Sequence, residues 1–220
     1  MMQAEEERLR SLPLTHALPS NPVSSSQLLG SEAELMSFLA AIVKAIGRFN
    51  GFLGQILAWL SLGIVLVCFT VVVQRYLFST SLIWMQDLYV WLNGAMFMGI
   101  AGFALLRDDH VRVDIFYRPA TIQRKAMIDL FGVVVFLLPF CYVVILYSWT
   151  YVMRSWSLGE GSANFGGMPG LYILKSFIFV FAGVVALQGL AMAGRSILVL
   201  SGREELLPAD LRYRLPGEGE

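Results

Sequence analysis

The chain alternates between long apolar stretches and shorter polar segments. Four of the apolar stretches have cores without a single charged side chain. A helix needs about 20 apolar residues to cross the hydrocarbon core of a bilayer, and a lone apolar run can satisfy its backbone in lipid only as a helix. The pattern therefore predicts an all-α membrane protein, whose four transmembrane helices lie at about 49–74, 85–106, 127–153 and 171–194.

A separate amphipathic helix is predicted ahead of the first span, over residues 31–48. Ser31 and Glu34 have the spacing of a capping box, and apolar residues recur at helical spacing from Leu35 to Phe49. The segment is too short and too charged to span a bilayer, so we expect it to lie along the membrane interface. A plain extension of the first span is the alternative.

Polar segments flank the transmembrane domain, residues 49–200. Residues 1–30 contain a charged start, three prolines and a run of serines, which predicts a disordered tail and does not match a cleaved secretory signal. Residues 201–220 form a second tail. Nine basic residues near the helix ends fall on the side of the N-terminus, against three on the other side. The positive-inside rule then places both termini and both tails in the cytoplasm, N-in/C-in.

Composition excludes several classes of function. Hydrophobic residues make up 57% of the chain and charged residues 15%, with zero formal net charge, so nothing favours nucleic-acid binding. Haem would need axial ligands at membrane depth, but His16 lies in the tail and His110 in the loop after the second span. No nucleophile elbow, HExxH or phosphate-binding glycine loop occurs. We expect no enzyme activity and no cofactor.

Metal binding is not expected either. Cys68 and Cys141 lie inside apolar runs without a neighbouring ligand set. Asp108, Asp109, His110 and Asp114 cluster in sequence, but clustering alone is weak support for a metal site, and a solvated, internally paired turn is the favoured interpretation.

The span interiors offer packing groups instead of charges. Asn93 and Gln188 suit hydrogen bonds between helices, and Pro139 predicts a distortion of the third span. Small residues such as Gly99 and Gly189 allow close helix contact, either inside this bundle or against another subunit. Without an ionisable interior, the chain is not expected to carry substrate itself.

Several polar and aromatic residues lie at the outer ends of the spans. Arg75 and Asp87 are placed to pair across the hairpin between the first two spans. Tyr76 and Trp84 suit the aromatic belt of a membrane interface, and Lys175 is expected to extend its ammonium towards water.

A set of short motifs, taken in order, resembles a known family. The motifs are Arg75-Tyr76-Leu77-Phe78, Trp84 with Asp87, His110-Val111-Arg112-Val113-Asp114, Trp156, Glu160-Gly161-Ser162 and Pro169. In a four-span chain they resemble the DctQ-like small permease subunit of the tripartite ATP-independent periplasmic (TRAP) transporters. The resemblance covers about residues 49–200. The loop with Gly166-Gly167-Met168-Pro169 is similar to the branch labelled for mannitol, chloroaromatic compounds or 2-oxo acids.

The resemblance implies a partner, a location and a role. The large multi-span permease subunit would hold the substrate and sodium sites, and a periplasmic substrate-binding protein would deliver an organic acid. This chain would be a scaffold among the lipids of a bacterial inner membrane, and its motif residues would be structural or interfacial. A membrane anchor of a redox complex and a small self-assembling carrier remain alternatives.

Overall fold

The computed structural model describes residues 25–107 and 119–213, with side chains from residue 30 onward. Its described part is helical and contains no strand. The five α-helices are α1 (Ser25–Leu77), α2 (Ile83–Leu106), α3 (Ile122–Gly132), α4 (Leu138–Leu158) and α5 (Leu171–Leu200). A π-helical turn, Val133–Leu137, joins α3 to α4, and two short 3-10 turns, Glu204–Leu206 and Ala209–Leu211, follow α5.

Four helices are long and apolar enough to cross a membrane. They are α1, α2, the continuous helix Ile122–Leu158 formed by α3, the π turn and α4, and finally α5. This confirms the predicted fold class and the number of spans.

Helix α1 begins earlier than the sequence pattern predicts. It starts at Ser25 and continues to Leu77 without a break at residue 48, so Ser31 lies inside the helix and is not its N-cap. The described residues divide into two units at Leu35, and the side-chain contacts of the bundle lie in the unit that begins at Met36. From residue 36 to Leu77 the helix measures about 63 Å at 1.5 Å per residue. That is about twice the thickness of a bilayer core, so α1 combines a span with an extension.

Helix α5 lies at the centre of the second unit and packs against α2, α3 and α4. The extension of α1 also packs on it, because Val43 and Leu39 lie directly over Gly194. Val43 is 2% exposed and shares a core cluster with Leu198 of α5 and Leu207 of the following segment. Residues of the predicted interfacial segment thus contribute to the core of the bundle.

The small residues of the spans are used inside this bundle. A Cβ on Gly99 would come within 2.6 Å of the Leu57 side chain, and one on Gly102 within 2.9 Å of the Val184 carbonyl oxygen. At Gly189 it would lie 2.4 Å from Leu137 Cδ2. The three glycines therefore let α1, α2, α5 and the π turn approach closely.

Pro139 coincides with the irregularity predicted for the third span. It lies in the first turn of α4, directly after the π-helical turn Val133–Leu137. A proline inside a helix has no N–H to donate and its ring crowds the carbonyl four residues earlier. A π turn relieves that conflict by adding one residue to the turn. The helix is thereby reshaped where Leu137 packs on Gly189.

Gln188 forms the hydrogen bond between helices that its position predicted, and its partner is Asn50. The Asn50 Nδ2 atom donates to Gln188 Oε1 at 2.8 Å, and both side chains are buried. Asn93, the other residue predicted to form such a bond, is exposed and bonds to no residue of the described part.

Candidate functional site

The loop between α4 and α5, residues 159–170, is folded back on itself and is called the α4–α5 loop here. Gly159 ends α4 in the left-handed conformation, with φ of 57°, which costs glycine little. Ser162 N–H then donates to the Met168 carbonyl at 2.9 Å, and Gly167 N–H to the Asn164 carbonyl at 3.0 Å. The loop therefore has its own backbone hydrogen bonds.

Asp87, at the start of α2, holds this loop from the side. Its carboxylate accepts the Met168 backbone N–H at 3.0 Å and the Asn164 amide Nδ2 at 3.1 Å. The Ser162 hydroxyl is a further donor to the same carboxylate. A Cβ on Gly167 would lie 2.3 Å from Asp87 Oδ2, so only glycine allows this approach. We call this arrangement the Asp87 clamp.

Glu160 forms a second anchor at the base of the loop. It accepts hydrogen bonds from Ser155 Oγ at 2.6 Å and from Lys175 Nζ at 2.5 Å. Lys175 also lies over the ring of Tyr151, 4.1 Å from its centroid. The hydrogen bond from Lys175, followed by that from Ser155, lowers the pKa of Glu160 below its ordinary value. Lys175 was expected to extend towards water, but it bridges the two ends of the loop through Glu160.

Trp156 closes the junction between α4 and α5. Its indole Nε1 donates to Ser176 Oγ at 2.8 Å, and its ring centroid lies 4.5 Å from that of Tyr172. Pro169 packs beside Gly161, where an added Cβ would be 3.7 Å from the Pro169 Cα. The clamp, the Glu160 anchor and the Trp156 junction thus gather five predicted residues around one loop: Asp87, Trp156, Glu160, Ser162 and Pro169.

The tip of this braced loop presents an aromatic ring to its surroundings. Phe165 is 99% exposed. Asn164 before it and Met168 after it are both hydrogen-bonded to the Asp87 carboxylate. Loops positioned by a rigid scaffold often carry binding residues, and aromatic side chains are enriched at protein interfaces. Phe165 carries no signal in the sequence, because no spacing rule distinguishes it from other aromatic residues near a membrane surface.

Other predicted residues do not join the α4–α5 loop. Arg75, Tyr76 and Trp84 are exposed around the α1–α2 turn. The expected pair of Arg75 with Asp87 is absent from the described residues, because Asp87 is occupied by the α4–α5 loop. His110 and Asp114, together with Asp108 and Asp109, lie outside the described residues.

A second polar cluster lies at the other end of α5, and the sequence pattern did not predict it. Arg195 Nη2 contacts Asp129 Oδ2 at 3.1 Å, and the Tyr213 hydroxyl donates to the same oxygen at 2.8 Å. Ser196 Oγ lies 3.1 Å from that hydroxyl. Burial raises the pKa of Tyr213 to about 12, with the Asp129 charge acting in the same direction.

The depth of this cluster can be read from helix lengths. Arg195 is 24 residues after Leu171, about 36 Å along α5, which exceeds the roughly 30 Å of a bilayer core. The ion pair therefore sits at the end of the span and not at its middle. It joins α3, α5 and the segment after α5, and no group of three or more His, Cys, Asp or Glu that could hold a metal occurs among the described residues.

The geometry defines a polytopic α-helical membrane protein whose polar clusters brace a loop and tie together helix ends. A family profile described as "Tripartite ATP-independent periplasmic transporters, DctQ component" matches residues 64–198. The match covers more than half of the chain, so the chain belongs to this family and is a TRAP transporter small membrane subunit. No curated protein and no solved structure matches the chain.

Proposed function

We propose that this chain is the non-catalytic scaffold subunit of a secondary active importer of organic acids in a bacterial inner membrane. Both termini are cytoplasmic in this proposal, and the α4–α5 loop faces the periplasm. The large permease subunit binds the substrate and the sodium ions, and a periplasmic binding protein delivers the substrate. Membership of the TRAP family supports this division of labour.

One observation supports the scaffold role above all others. In the described part of the chain the charged residues lie outside the four charge-free span cores, and two of the ion pairs are Lys175 with Glu160 and Arg195 with Asp129. Carriers and pumps use ionisable groups inside their spans to hold a charged solute or a proton. The four charge-free span cores supply no such group, so substrate chemistry falls to the partner subunit.

The α4–α5 loop is the proposed docking point for the binding protein. Loops held by a rigid scaffold often bear partner contacts, and aromatic anchors contribute much of the binding energy at interfaces. Phe165 combines both properties, since it is fully exposed while its neighbours are fixed by the Asp87 clamp.

This docking role can be tested with Phe165→Ser in the purified two-subunit membrane complex. Loss of an aromatic anchor worth about 2 kcal/mol weakens binding roughly 30-fold. The matched control is Phe78→Ser, which removes an exposed aromatic residue near the α1–α2 turn. We expect weaker binding of the substrate-binding protein by surface plasmon resonance for Phe165→Ser alone. Equal binding by the wild type and both variants would refute the docking proposal.

A further inference from the structure

A large basic cavity lies at the end of the bundle opposite the α4–α5 loop. Its volume is about 1180 Å³, and it opens among α1, α2, α3, α5 and the segment after α5. Among the residues that the structure describes, six basic side chains and one acidic side chain line it. The basic residues are Lys44, Arg48, Arg107, Lys125, Arg195 and Arg212, and the acid is Asp210. We call it the basic cavity.

Basic side chains outnumber acidic ones in the described lining of the cavity. Arg195 is paired with Asp129, whereas Lys44, Arg48 and Arg107 form no ion pair with a described carboxylate. Arg212 donates to two backbone carbonyls, those of Leu207 at 2.9 Å and Glu205 at 3.1 Å, which carry no net charge. A concave surface with one sign of charge concentrates its field and attracts counter-ions.

Two of the basic residues on α1 contact no carboxylate of the described residues. Lys44 and Arg48 are exposed and lie one helical turn apart. Arg107 directly follows α2, and its guanidinium lies over the Phe103 ring at 5.2 Å from the centroid. These three side chains leave donors available towards the cavity, and guanidinium groups bind phosphate oxygens in pairs.

The position of the cavity relative to the membrane favours a lipid headgroup over a soluble anion as its ligand. Arg48 directly precedes the charge-free stretch 49–74, and Arg107 directly follows the last residue of α2. The basic groups are therefore at the level where lipid headgroups begin. Arg48, Phe52 and Ile56 lie four residues apart and share one side of α1, and the two apolar residues are 64% and 48% exposed. An acyl chain can lie along that strip below a headgroup bound at Arg48.

We propose that the basic cavity binds the phosphate headgroup of an anionic phospholipid, held by Lys44, Arg48 and Arg107, with an acyl chain along Phe52 and Ile56. Basic pockets between transmembrane helices bind anionic headgroups in this way. A free phosphate ion would meet the same cations but would gain nothing from the apolar strip. The proposal concerns only this chain and is independent of the docking role of Phe165.

The test is lipid titration of the purified full-length chain, followed by native mass spectrometry. The probes are phosphatidylglycerol and phosphatidylcholine with identical acyl chains, and inorganic phosphate as competitor. The double variant Lys44→Gln/Arg48→Gln removes two cavity charges. Arg124→Gln/Arg203→Gln is the matched control, because it removes two charges from the same end of the bundle that do not line the cavity.

We expect phosphatidylglycerol to bind more tightly than phosphatidylcholine and to resist displacement by millimolar inorganic phosphate. Each basic residue near a headgroup contributes about fivefold in affinity, so the double variant should weaken binding roughly 25-fold. The control should bind as the wild type does. If the double variant does not fold, Arg107→Gln alone should show the loss of about fivefold.

Three results would overturn the proposal. Equal affinity for the two lipids would show that the headgroup charge is not recognised. Equal weakening in the control double variant would show that only overall charge matters. Full displacement by inorganic phosphate would identify a soluble-anion site in place of a lipid site.

Discussion

The backbone N–H of Met168 donates to the carboxylate of Asp87 at 3.0 Å, across 81 residues of sequence. This bond joins the start of α2 to the loop between α4 and α5, and it fixes the position of Phe165 at the tip of that loop. A carboxylate is a strong acceptor, because hydrogen bonds to a charged group contribute about 1.5–3 kcal/mol each. The Asp87 clamp is thus the contact on which the shape of the α4–α5 loop depends.

Replacing the clamp residue should open the loop without altering substrate recognition. We expect Asp87→Ala to expose the chain around Phe165 to chymotrypsin and to lower the yield of the two-subunit complex, with the apparent affinity for substrate unchanged. Gln86→Ala, which removes only a bond to Ser81, is the control and should behave as the wild type. A pure change in apparent affinity, at normal complex yield, would contradict this expectation.

Gly167 should tolerate no side chain. Its added Cβ would lie 2.3 Å from Asp87 Oδ2 and 2.5 Å from Ser162 Oγ, so Gly167→Ala must displace the clamp and should increase chymotryptic cleavage at Phe165 as Asp87→Ala does. Gly161→Ala is the control, since its Cβ would make only ordinary contacts of 3.7 Å or more. Similar cleavage of the two alanine variants would show that the clamp is less close than described.

The Glu160 anchor gives a pH dependence whose sign follows from its lowered pKa. The ordinary pKa of this carboxyl is 4.5, and the hydrogen bond from Lys175 lowers it in the folded protein. The stabilisation is therefore complete above pH 4.5 and is lost as the pH falls through the folded-state value. We expect wild type to melt above Glu160→Gln at pH 7, with a difference that shrinks below pH 4.5. A difference that stays constant down to pH 3 would exclude this ionic contribution.

Tyr213 should affect stability at the alkaline end of the pH range. Its pKa rises from 10 to about 12 on folding, because the fold favours the neutral phenol. This contribution to the free energy of unfolding is fully present below pH 10 and is lost as the pH rises towards 12. Two pKa units correspond to about 2.7 kcal/mol. Tyr213→Phe removes this titration, and its unfolding free energy should stay flatter than that of the wild type over this interval. Parallel curves would contradict the burial of the hydroxyl.

The Asn50–Gln188 pair should show strong coupling. Gln188→Leu leaves the buried Asn50 amide without its acceptor, which costs about 1–3 kcal/mol. The double variant Asn50→Leu/Gln188→Leu removes both polar groups and should be more stable than either single variant. Denaturation in detergent gives the unfolding free energies of the wild type, the two single variants and the double variant. Additive effects of the two substitutions would mean that the 2.8 Å bond contributes nothing.

Hydropathy alone predicts the four spans well, because charge-free runs of this length have no other stable state in lipid. The start of α1 could not be predicted in this way. Ser31 and Glu34 match a helix start locally, yet α1 begins at Ser25, and Leu39 and Val43 of its extension pack against Gly194 of α5.

The hydrogen-bond partners of the polar residues could not be predicted from the sequence pattern either. Asp87 was paired with Arg75 on the basis of nearness along the chain, whereas its actual partners lie about 80 residues away. Asp129 and Tyr213 had no visible signal, since their contact depends on how α3 and the final segment pack around Arg195. Local spacing describes single helices, but these contacts arise only when several elements meet.

The central claim is that this chain supports transport without performing it. The most direct measurement is organic-acid uptake into proteoliposomes containing this chain alone, the large permease subunit alone, or both, with the binding protein and a sodium gradient present. We predict uptake only when both membrane subunits are present. Uptake by this chain alone, or undiminished uptake without it, would contradict the account.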